Sequence, residues 1–407
     1  MAIIREFKGL RPRKDIVDRV AELPYDVISS DDARKVAHKK STSFFHVTKP
    51  EVDLPTSVDP YDDRVYAMGK ENLQRFIQEG ILFRDSSANL YLYTLVMNGR
   101  YQTGLVACVS IDDYLQNNVK KHELTRKDKE LDRMNHIDRL NAQTGLVFLL
   151  YREDGSKRNY FKKATEITPA YDFTTDDGIR HIFRVIDDRD LISAIKESFK
   201  NTELYIADGH HRAASSVSVG LKRRESGEKA PESESGYFMA TIFPHDELRI
   251  LAYNRVVKDL NGKGVQEFLK VVGEKFSVEK SREDVPQSKH SVCMYLDGEW
   301  YVIKPKFAIP SGPIESLDVK LLQDTILGPV LDIQDPRTSK RIDFIGGIKG
   351  AGELKKLVDS GQFAVAFSMH PTSVDDLIGV SDSGGIMPPK STWFEPKLRS
   401  GLVIHEI

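Results

Sequence analysis

The chain has 407 residues, enough for two or three domains with sizeable hydrophobic cores. Its hydrophobic content of 40%, its charged content of 29% and its net charge of −2 are ordinary for a globular protein. They exclude a protein that attracts nucleic acid or an acidic membrane surface through its overall charge, so any anion site must be local.

The two cysteines, Cys108 and Cys293, lie in apolar runs typical of strands. We expect both to be reduced and buried, which suits a cytoplasmic protein, and they supply no zinc site. The N-terminal residues lack the apolar core of a signal peptide, and no apolar run approaches the roughly 20 residues that a membrane helix needs. We therefore expect neither a secreted nor a membrane-spanning protein.

An opening strand is predicted within residues 1–12. Pro24 then favours an extended backbone that leads into a corner holding Tyr25 and Asp26, with a helix capped by a following serine. Residues 43–51 alternate like a strand, which places His46 near a strand end. A lone strand histidine is more often a hydrogen-bonded structural residue, and the alternative for His46 is a role in the site.

Residues 66–78 have the periodicity of an amphipathic helix, and a hairpin is predicted across Asn98-Gly99. The charged stretch 120–133 has the spacing of a solvated helix with ion pairs. Its alternative is chemical, because His122 and Glu123 follow a strand-like segment and suit a general base or a metal-binding pair. No histidine follows His122 by four residues, so this is not the two-histidine zinc motif.

The most informative stretch is a strand that stops at a glycine and restarts as a helix. Residues 204–207 form a short apolar run of the buried-strand type, Gly209 permits a tight turn, and two alanines follow as good helix formers. Further strands are predicted at residues 144–151 and 181–186. The sequence therefore predicts a strand-turn-helix unit centred on Gly209.

The polar residues of that turn favour an anion. The first helical turn exposes unpaired N–H groups, and the helix dipole attracts negative charge. His210, His211 and Arg212 would add cationic donors, and Arg212 can bind two phosphate oxygens at once. Asp208 suits a metal, a base or a helix cap. The structural alternative is that the histidines are surface residues and Asp208 is merely an N-cap.

A second domain is predicted after residue 258, which divides the chain into an α/β domain at residues 1–258 and a C-terminal α/β domain at residues 259–407. Residues 386–402 contain three prolines and many anion-directed donors. We expect this stretch to return to the turn; alternatively it is a clamp packed through Trp393 and Phe394. Its candidate donors are Lys390, Ser391, Thr392, Lys397 and Arg399.

Several strings together resemble a bacterial and archaeal family catalogued as domain of unknown function 1015, and the resemblance runs nearly end to end. The label specifies no reaction. The strings are Pro24-Tyr25-Asp26-Val27-Ile28, Phe45-His46-Val47-Thr48, His122-Glu123-Leu124-Thr125, Ala207-Asp208-Gly209-His210-His211-Arg212 and Met387-Pro388-Pro389-Lys390-Ser391-Thr392-Trp393-Phe394.

The turn at residues 208–212 also looks like the phosphate-binding turn of the ParB and sulfiredoxin-like fold. That fold includes nucleotide-binding partition proteins, sulfiredoxins and an ADP-dependent free serine kinase. The resemblance implies an α/β core of that type with mixed sheets, and phosphate at the turn. The kinase uses a glutamate as base toward the serine hydroxyl, and Glu123 is the candidate for that role here.

We therefore expect a phosphoryl-transfer enzyme acting on a small hydroxylated metabolite, foremost serine or O-phosphoserine, as a kinase or a phosphatase. Mg²⁺ would bind through Asp208, with ATP or ADP as the nucleotide. The candidate catalytic residues are Glu123, His122, Asp208 and His211. The candidate substrate-binding residues are Gly209, His210, Arg212, Lys390, Ser391, Thr392, Lys397, Arg399, Tyr25, Asp26 and His46.

Two other functions are weighed. A ParB-like nucleotide-dependent DNA-binding protein should carry a helix-turn-helix after the turn, whereas residues 222–236 contain four glutamates and the pattern that follows is of strands. A sulfiredoxin-type reductase needs a cysteine at the turn, and neither cysteine is close in sequence. The expected partner is a small phosphorylated or hydroxylated molecule, and neither nucleic acid nor a membrane is expected.

Overall fold

The structure is a computed structural model that describes residues 2–229 and 232–407. The chain forms two compact units. The first contains the residues up to Leu248 together with Pro396–Ile407, and the second is Arg249–Glu395. The division therefore comes before the predicted residue 258, and the last twelve residues, which the prediction placed in the C-terminal domain, belong to the first unit.

The described residues contain strands of two to eleven residues. In chain order they are β1 Ile4–Arg5, β2 Leu10–Pro12, β3 Leu82–Arg84, β4 Leu90–Met97, β5 Arg100–Ser110, β6 Val119–Lys120, β7 Ala142–Gln143, β8 Val147–Tyr151, β9 Tyr171–Thr174, β10 Arg180–Ile186, β11 Leu204–Asp208, β12 Tyr237–Pro244, β13 Ile250–Leu251, β14 Tyr253–Val257, β15 Phe276–Ser281, β16 Val292–Leu296, β17 Glu299–Pro305, β18 Ile342–Gly346, β19 Val365–Met369, β20 Trp393–Phe394 and β21 His405–Glu406.

Helices alternate irregularly with these strands. They are α1 Val17–Val20, α2 Ser30–Ala37, α3 Phe45–Thr48, α4 Asp63–Gln78, α5 Ile111–Leu115, α6 Lys127–Leu140, α7 Arg158–Thr165, α8 Arg189–Phe199, α9 His210–Glu225, α10 Val265–Lys275, α11 Asp318–Leu322, α12 Gly350–Asp359 and α13 Val374–Asp382. Short 3-10 turns occur at Lys14–Ile16, Pro50–Asp53, Glu234–Gly236, His245–Glu247 and Gly347–Lys349, and a π-helical turn at Gln323–Leu327.

The first unit is built on a nine-stranded mixed sheet. Its order is β6-β11-β8-β12-β5-β4-β10-β9, and β1 also pairs with β5. The β6–β11 and β8–β12 pairs are parallel, and the others are antiparallel. Side chains from α7, α8 and α9 complete a hydrophobic core with this sheet. The site-bearing strand β11 is thus held between two neighbours, close to one edge.

The second unit contains a six-stranded sheet in which every pair is antiparallel, in the order β15-β17-β16-β19-β14-β18. Val256 and Tyr295 from its strands and Leu354 from α12 share one core. With the mixed sheet of the first unit, this confirms the predicted α/β class. None of the helices in the described parts of the chain is long and apolar enough to span a membrane.

Several local predictions are confirmed. Strands β4 and β5 form the predicted hairpin, and Asn98 and Gly99 adopt φ angles of 53° and 76°, as a tight two-residue turn requires. Both cysteines are buried and free. The charged and polar composition of residues 225–236 predicts a surface loop, within which Ala230 and Pro231 lie outside the described residues.

The strand predicted at residues 43–51 is wrong. The chain forms helix α3 there, followed by a 3-10 turn. The hydroxyl of Ser43 accepts a hydrogen bond from the amide of Phe45 at 3.3 Å, and Phe44 and Val47 lie three residues apart in one core. Long-range burial of residues spaced for a helix therefore overrides the alternating pattern.

The helix predicted over residues 120–133 begins only at Lys127. Before it, β6 pairs with β11, and the amide of Arg126 donates to Nε2 of His211 at 3.0 Å. The segment 121–126 is irregular because these contacts fix it to β11 and α9 rather than to its own helix. His122 and Glu123 consequently lie in a loop next to the predicted turn.

A buried ion pair offers a test of the first unit's stability. The guanidinium of Arg11 donates two hydrogen bonds to the carboxylate of Asp85, at 2.6 and 2.9 Å, and the hydroxyl of Tyr91 donates to the same carboxylate at 2.7 Å. We expect Asp85→Ala to lower the free energy of unfolding by about 3–5 kcal/mol, because it leaves a buried guanidinium unpaired. Urea unfolding followed by circular dichroism measures this. The control Asp15→Ala breaks the exposed Arg13 pair and should change nothing measurable; equal losses in both variants would contradict the prediction.

Candidate functional site

The predicted strand-turn-helix unit is confirmed. Strand β11 ends at Asp208, Gly209 adopts φ 92° and ψ 31°, and α9 begins at His210. The amide of Ala213 donates to the carbonyl of Gly209 at 3.0 Å, the first bond of the helix. No side chain among the described residues caps this helix, so Asp208 is not its N-cap. The preceding amides of the first turn have no partner within the helix.

Arg212 folds back over this turn. A Cβ atom at position 209 would lie 3.0 Å from both Cζ and Nε of Arg212, so any other residue there would push the guanidinium away by a few tenths of an ångström. Nη1 donates to the carbonyl of Leu146, while Nη2 lies 3.4 Å from a carboxylate oxygen of Asp26 and 3.7 Å from one of Asp208. Nε has no hydrogen-bond partner among the described residues. Burial opposes the charge of Arg212, but the two carboxylates raise its pKa.

Asp208 lies between two cations. Its second carboxylate oxygen is 3.1 Å from Nζ of Lys397, which comes from the returning C-terminal segment. Burial works to raise the pKa of Asp208, but Lys397 and Arg212 outweigh it and hold that pKa well below the usual range. Asp208 is therefore a carboxylate at neutral pH, and the predicted approach of Lys397 to the turn is observed.

His122 and His210 contact each other edge to face, with ring centroids 4.5 Å apart. Both are almost completely buried, and Nδ1 of His122 and Nε2 of His210 lack hydrogen-bond partners among the described residues. Burial lowers the pKa of His122 to about 4 and lowers that of His210 well below its usual value. Both rings are neutral at pH 7, so the prediction that His210 supplies a cationic donor is wrong.

His211 is also neutral rather than cationic. Its Nε2 accepts the hydrogen bond from the amide of Arg126, which requires an unprotonated nitrogen, and burial lowers its pKa. The sequence therefore overestimated the positive charge of the turn. The cations closest to the carboxylate of Asp208 are Arg212 and Lys397, and Asp26 also faces Arg212.

Glu123 and the corner at Tyr25 also reach the turn. A carboxylate oxygen of Glu123 lies 3.7 Å from Nδ1 of His210, and its side chain is 45% exposed, so it faces both the buried histidines and solvent. The ring of Tyr25 stacks under the guanidinium of Arg133 at 4.1 Å, and burial raises the pKa of Tyr25. Asp26, its neighbour, reaches Arg212.

His46 is not brought to the turn by its contacts. Nδ1 lies 2.8 Å from Asp53 and Nε2 lies 3.2 Å from the carbonyl of Lys40. Although burial works to lower it, the Asp53 carboxylate raises the pKa of His46. Both ring nitrogens are used within its own segment, which matches the structural alternative.

Arg399 is engaged elsewhere in the first unit. Its Nη2 donates to the carboxylate of Asp177 and, at 3.1 Å, to the hydroxyl of Thr175, while its amide donates to the hydroxyl of Tyr93 at 3.3 Å. None of these partners belongs to the turn, so the contacts of Arg399 indicate a structural role.

The remaining predicted donors, Lys390, Ser391 and Thr392, belong to the second unit. There Nζ of Lys390 lies 5.5 Å from the ring centre of Tyr253, and the hydroxyl of Ser391 donates to a main-chain carbonyl at 2.6 Å. Trp393 and Phe394 form β20, which pairs with β13. This part of the C-terminal stretch packs within the second unit, as the clamp alternative describes.

Sequence reasoning missed the loop before β8. The carbonyl of Leu146 accepts from Arg212, and a Cβ atom on Gly145 would lie 3.3 Å from the Cδ atom of Arg212. This loop and Tyr25 help to line a cavity of about 30 Å³ beside Arg212, enough for about one or two water molecules. In the sequence, Gly145 at the start of the predicted strand was the one signal for this loop, and it did not identify Arg212 as the partner.

The family described as protein of unknown function, DUF1015, matches residues 4–320. The chain belongs to the DUF1015 family. The match includes the turn and the Glu123 loop but ends before the C-terminal segment that carries Lys397. No curated protein matches this DUF1015 chain.

Solved structures similar to the DUF1015 chain include a free serine kinase in complex with AMP, at 13% identity and a TM-score of 0.36, covering 71% of this chain and 86% of that one. SbnI with a C-terminal truncation, from Staphylococcus aureus, is 12% identical with a TM-score of 0.37, covering 73% and 86%. A conserved hypothetical protein from Pyrococcus furiosus is 14% identical with a TM-score of 0.35, covering 71% and 90%.

The predicted magnesium site at Asp208 has no support from the side chains around it. Among the described residues of the DUF1015 chain, no three His, Cys, Asp or Glu side chains are grouped to hold a metal ion. Asp208 is already paired with Lys397 and Arg212, and a divalent cation there would face two positive charges. These residues do not fit a resident metal ion.

The turn geometry predicts the effect of Gly209→Ala. A left-handed backbone costs a non-glycine residue about 1–2 kcal/mol, and here the new Cβ would also displace the guanidinium of Arg212. Gly178→Ala is the matched control, since Gly178 has φ 80° with nothing within 4 Å of an added Cβ. We expect Gly209→Ala to lose more free energy of unfolding than Gly178→Ala in urea titrations. Equal losses would show that Arg212 does not occupy this space.

The neutral state of His122 predicts a pH dependence. Its pKa is about 4 in the folded chain, against about 6.5 when unfolded, so the unfolded state binds more protons between these values. The contribution of His122 to stability is therefore full above pH 6.5 and is lost as pH falls toward 4. NMR titration should show His122 neutral at pH 5.5, where His46 is already protonated. A His122 titration near pH 6.5 would contradict this prediction.

Proposed function

We propose that this protein is a phosphoryl-transfer enzyme that binds a phosphate group at the Gly209 turn and acts on serine or O-phosphoserine. The observation that carries the proposal is the uncapped start of α9, over which the guanidinium of Arg212 lies with Nε unpartnered among the described residues. Main-chain amides at a helix N-terminus, together with a guanidinium, suit phosphate oxygens.

The cations at the turn retain the capacity to bind an anion. Charge-assisted hydrogen bonds are typically about 2.7–2.9 Å long. The contacts of Arg212 to Asp26 and Asp208, at 3.4 and 3.7 Å, are longer, so a phosphate oxygen at the shorter distance can replace them. Lys397 adds a second cation at 3.1 Å from Asp208. A phosphate that meets both would gain the charge neutralisation on which phosphoryl transfer depends.

Glu123 is the proposed base. It is half exposed beside buried His210, and it can therefore meet a substrate hydroxyl or a water molecule while remaining next to the turn. In a kinase it would take a proton from the serine hydroxyl, and in a phosphatase from water. His122, being neutral and buried, suits a structural or hydrogen-bonding role better than proton transfer at neutral pH.

A nucleotide is part of the proposal, with ATP or ADP as phosphoryl donor. Because the described side chains do not fit a resident metal ion, Mg²⁺ would enter bound to the phosphates of the nucleotide. The chain's own contribution is then confined to positioning the phosphate and the hydroxyl and to accepting the proton.

The two alternative functions receive less support. After α9 the chain forms a 3-10 turn and then β12, which is not the arrangement of a helix-turn-helix. Cys108 lies within β5, and burial raises its pKa well above the usual value, so it is not the reactive thiolate that a sulfiredoxin-type reaction needs.

The direct test incubates the purified full chain with serine plus ATP, with serine plus ADP, and with O-phosphoserine alone. Phosphorus NMR follows phosphoserine and inorganic phosphate. We expect turnover in at least one of these mixtures, and the productive mixture gives the direction of the reaction. No turnover in all three would contradict the proposal.

Substitution of Glu123 tests its role as base. We expect Glu123→Gln to lower kcat by about 100-fold or more while phosphate binding is retained, because general base catalysis typically contributes that much. The matched control is Glu203→Gln, whose exposed carboxylate pairs with Lys120 at 2.9 Å. Full activity in Glu123→Gln would remove Glu123 from the mechanism without affecting the phosphate site.

A further inference from the structure

Asp26 contacts the guanidinium of Arg212, which the proposed phosphate would also need. Its carboxylate lies 3.4 Å from Nη2 of Arg212, and it comes from an exposed corner more than 180 positions earlier in the chain. Besides Asp26, the Arg212 guanidinium contacts the main-chain carbonyl of Leu146 and, at the greater distance of 3.7 Å, the carboxylate of Asp208. A carboxylate oxygen and a phosphate oxygen accept from the same guanidinium N–H groups, so the two ligands compete.

The Asp26 side chain makes few contacts, although the residues around it are fixed, since Leu23 and Ile28 pack against a hydrophobic core. The amide of Val27 donates to the carbonyl of Pro24 at 3.2 Å, and Tyr25 stacks on Arg133 at 4.1 Å. Asp26 and Val27 are exposed, so the carboxylate can swing into solvent without uncovering a core. The contact with Arg212 is also longer than a good charge-assisted hydrogen bond. Asp26 is therefore replaceable, whereas Asp208 is fixed by Lys397.

We propose that Asp26 is an intramolecular competitor that occupies Arg212 until a phosphate displaces it, and that it thereby sets the phosphate affinity of the turn. The inference rests on the proposed phosphate site. This competition also defines the ligand class as a dianionic phosphate. A monoanionic carboxylate would replace the Asp26 carboxylate on Arg212 with a group of equal charge, so it would gain little attraction. It would still lose translational and rotational entropy on binding.

The test compares inorganic phosphate binding, by calorimetry at pH 7.5, in the full-length wild type and three variants. Asp26→Asn removes the competing charge, and we expect the Kd for phosphate to fall about three- to tenfold, as for the loss of a partly exposed ion pair. Asp26→Glu keeps the charge and should bind phosphate within about twofold of the wild type. Asp128→Asn is the control, since this exposed carboxylate pairs with neighbouring Arg126; its Kd should not change.

Hydrogen exchange gives an independent readout. In the wild type, saturating phosphate should increase exchange of the Val27 amide, which follows Asp26 and donates to the carbonyl of Pro24, and decrease exchange at residues 209–213. An Asp26→Asn Kd that equals or exceeds that of the wild type overturns the inference. If the wild type binds phosphate in that case, the proposed function stands, whereas no phosphate binding by any variant overturns both.

Discussion

The position of the Arg212 guanidinium over Gly209 is the constraint on which the site depends. The left-handed backbone at Gly209 starts α9 directly after β11 and leaves no Cβ in the space that the guanidinium fills. From there Arg212 meets the carbonyl of Leu146 and the carboxylates of Asp26 and Asp208. One side chain thus joins the loop before β8, the N-terminal corner and the end of β11. Losing the glycine would disturb all three contacts at once.

The electrostatics of the turn follow from burial. Three imidazoles lie at the turn, and desolvation is the main cause that lowers the pKa of each ring; the charge of Arg212 adds to this for His210 and His211. The positive charge therefore resides on Arg212 and Lys397, each already facing a carboxylate. Binding an anion here is an exchange of partners rather than the filling of an empty positive pocket. The net free energy gained on anion binding is therefore smaller than the number of basic residues in the sequence suggests.

The sequence predicted what is decided locally and failed where distant partners decide. The turn at Gly209 and the Asn98-Gly99 hairpin depend on the left-handed backbone that these residue types allow, so both were predictable. Helix α3 was not, because core packing of Phe44 and Val47 overrode alternation. The role of Arg399 was missed because its partner Asp177 is 222 positions away. The basic residues of the C-terminal stretch made Arg399 a candidate donor to an anion, but the fold pairs it with the carboxylate of Asp177.

The C-terminal segment shows why site and domain boundaries had to be derived from the structure. The chain leaves the first unit at Leu248 and returns at Pro396, so Lys397 reaches Asp208 only after the second unit has been traversed. The return is fixed by the pairing of β21 with β7 and by the bridge between Leu10 and Ile404. The family match ends at residue 320, before this segment. A site defined from the matched residues alone would therefore omit Lys397, whose Nζ lies 3.1 Å from the carboxylate of Asp208, closer than the 3.7 Å of Arg212.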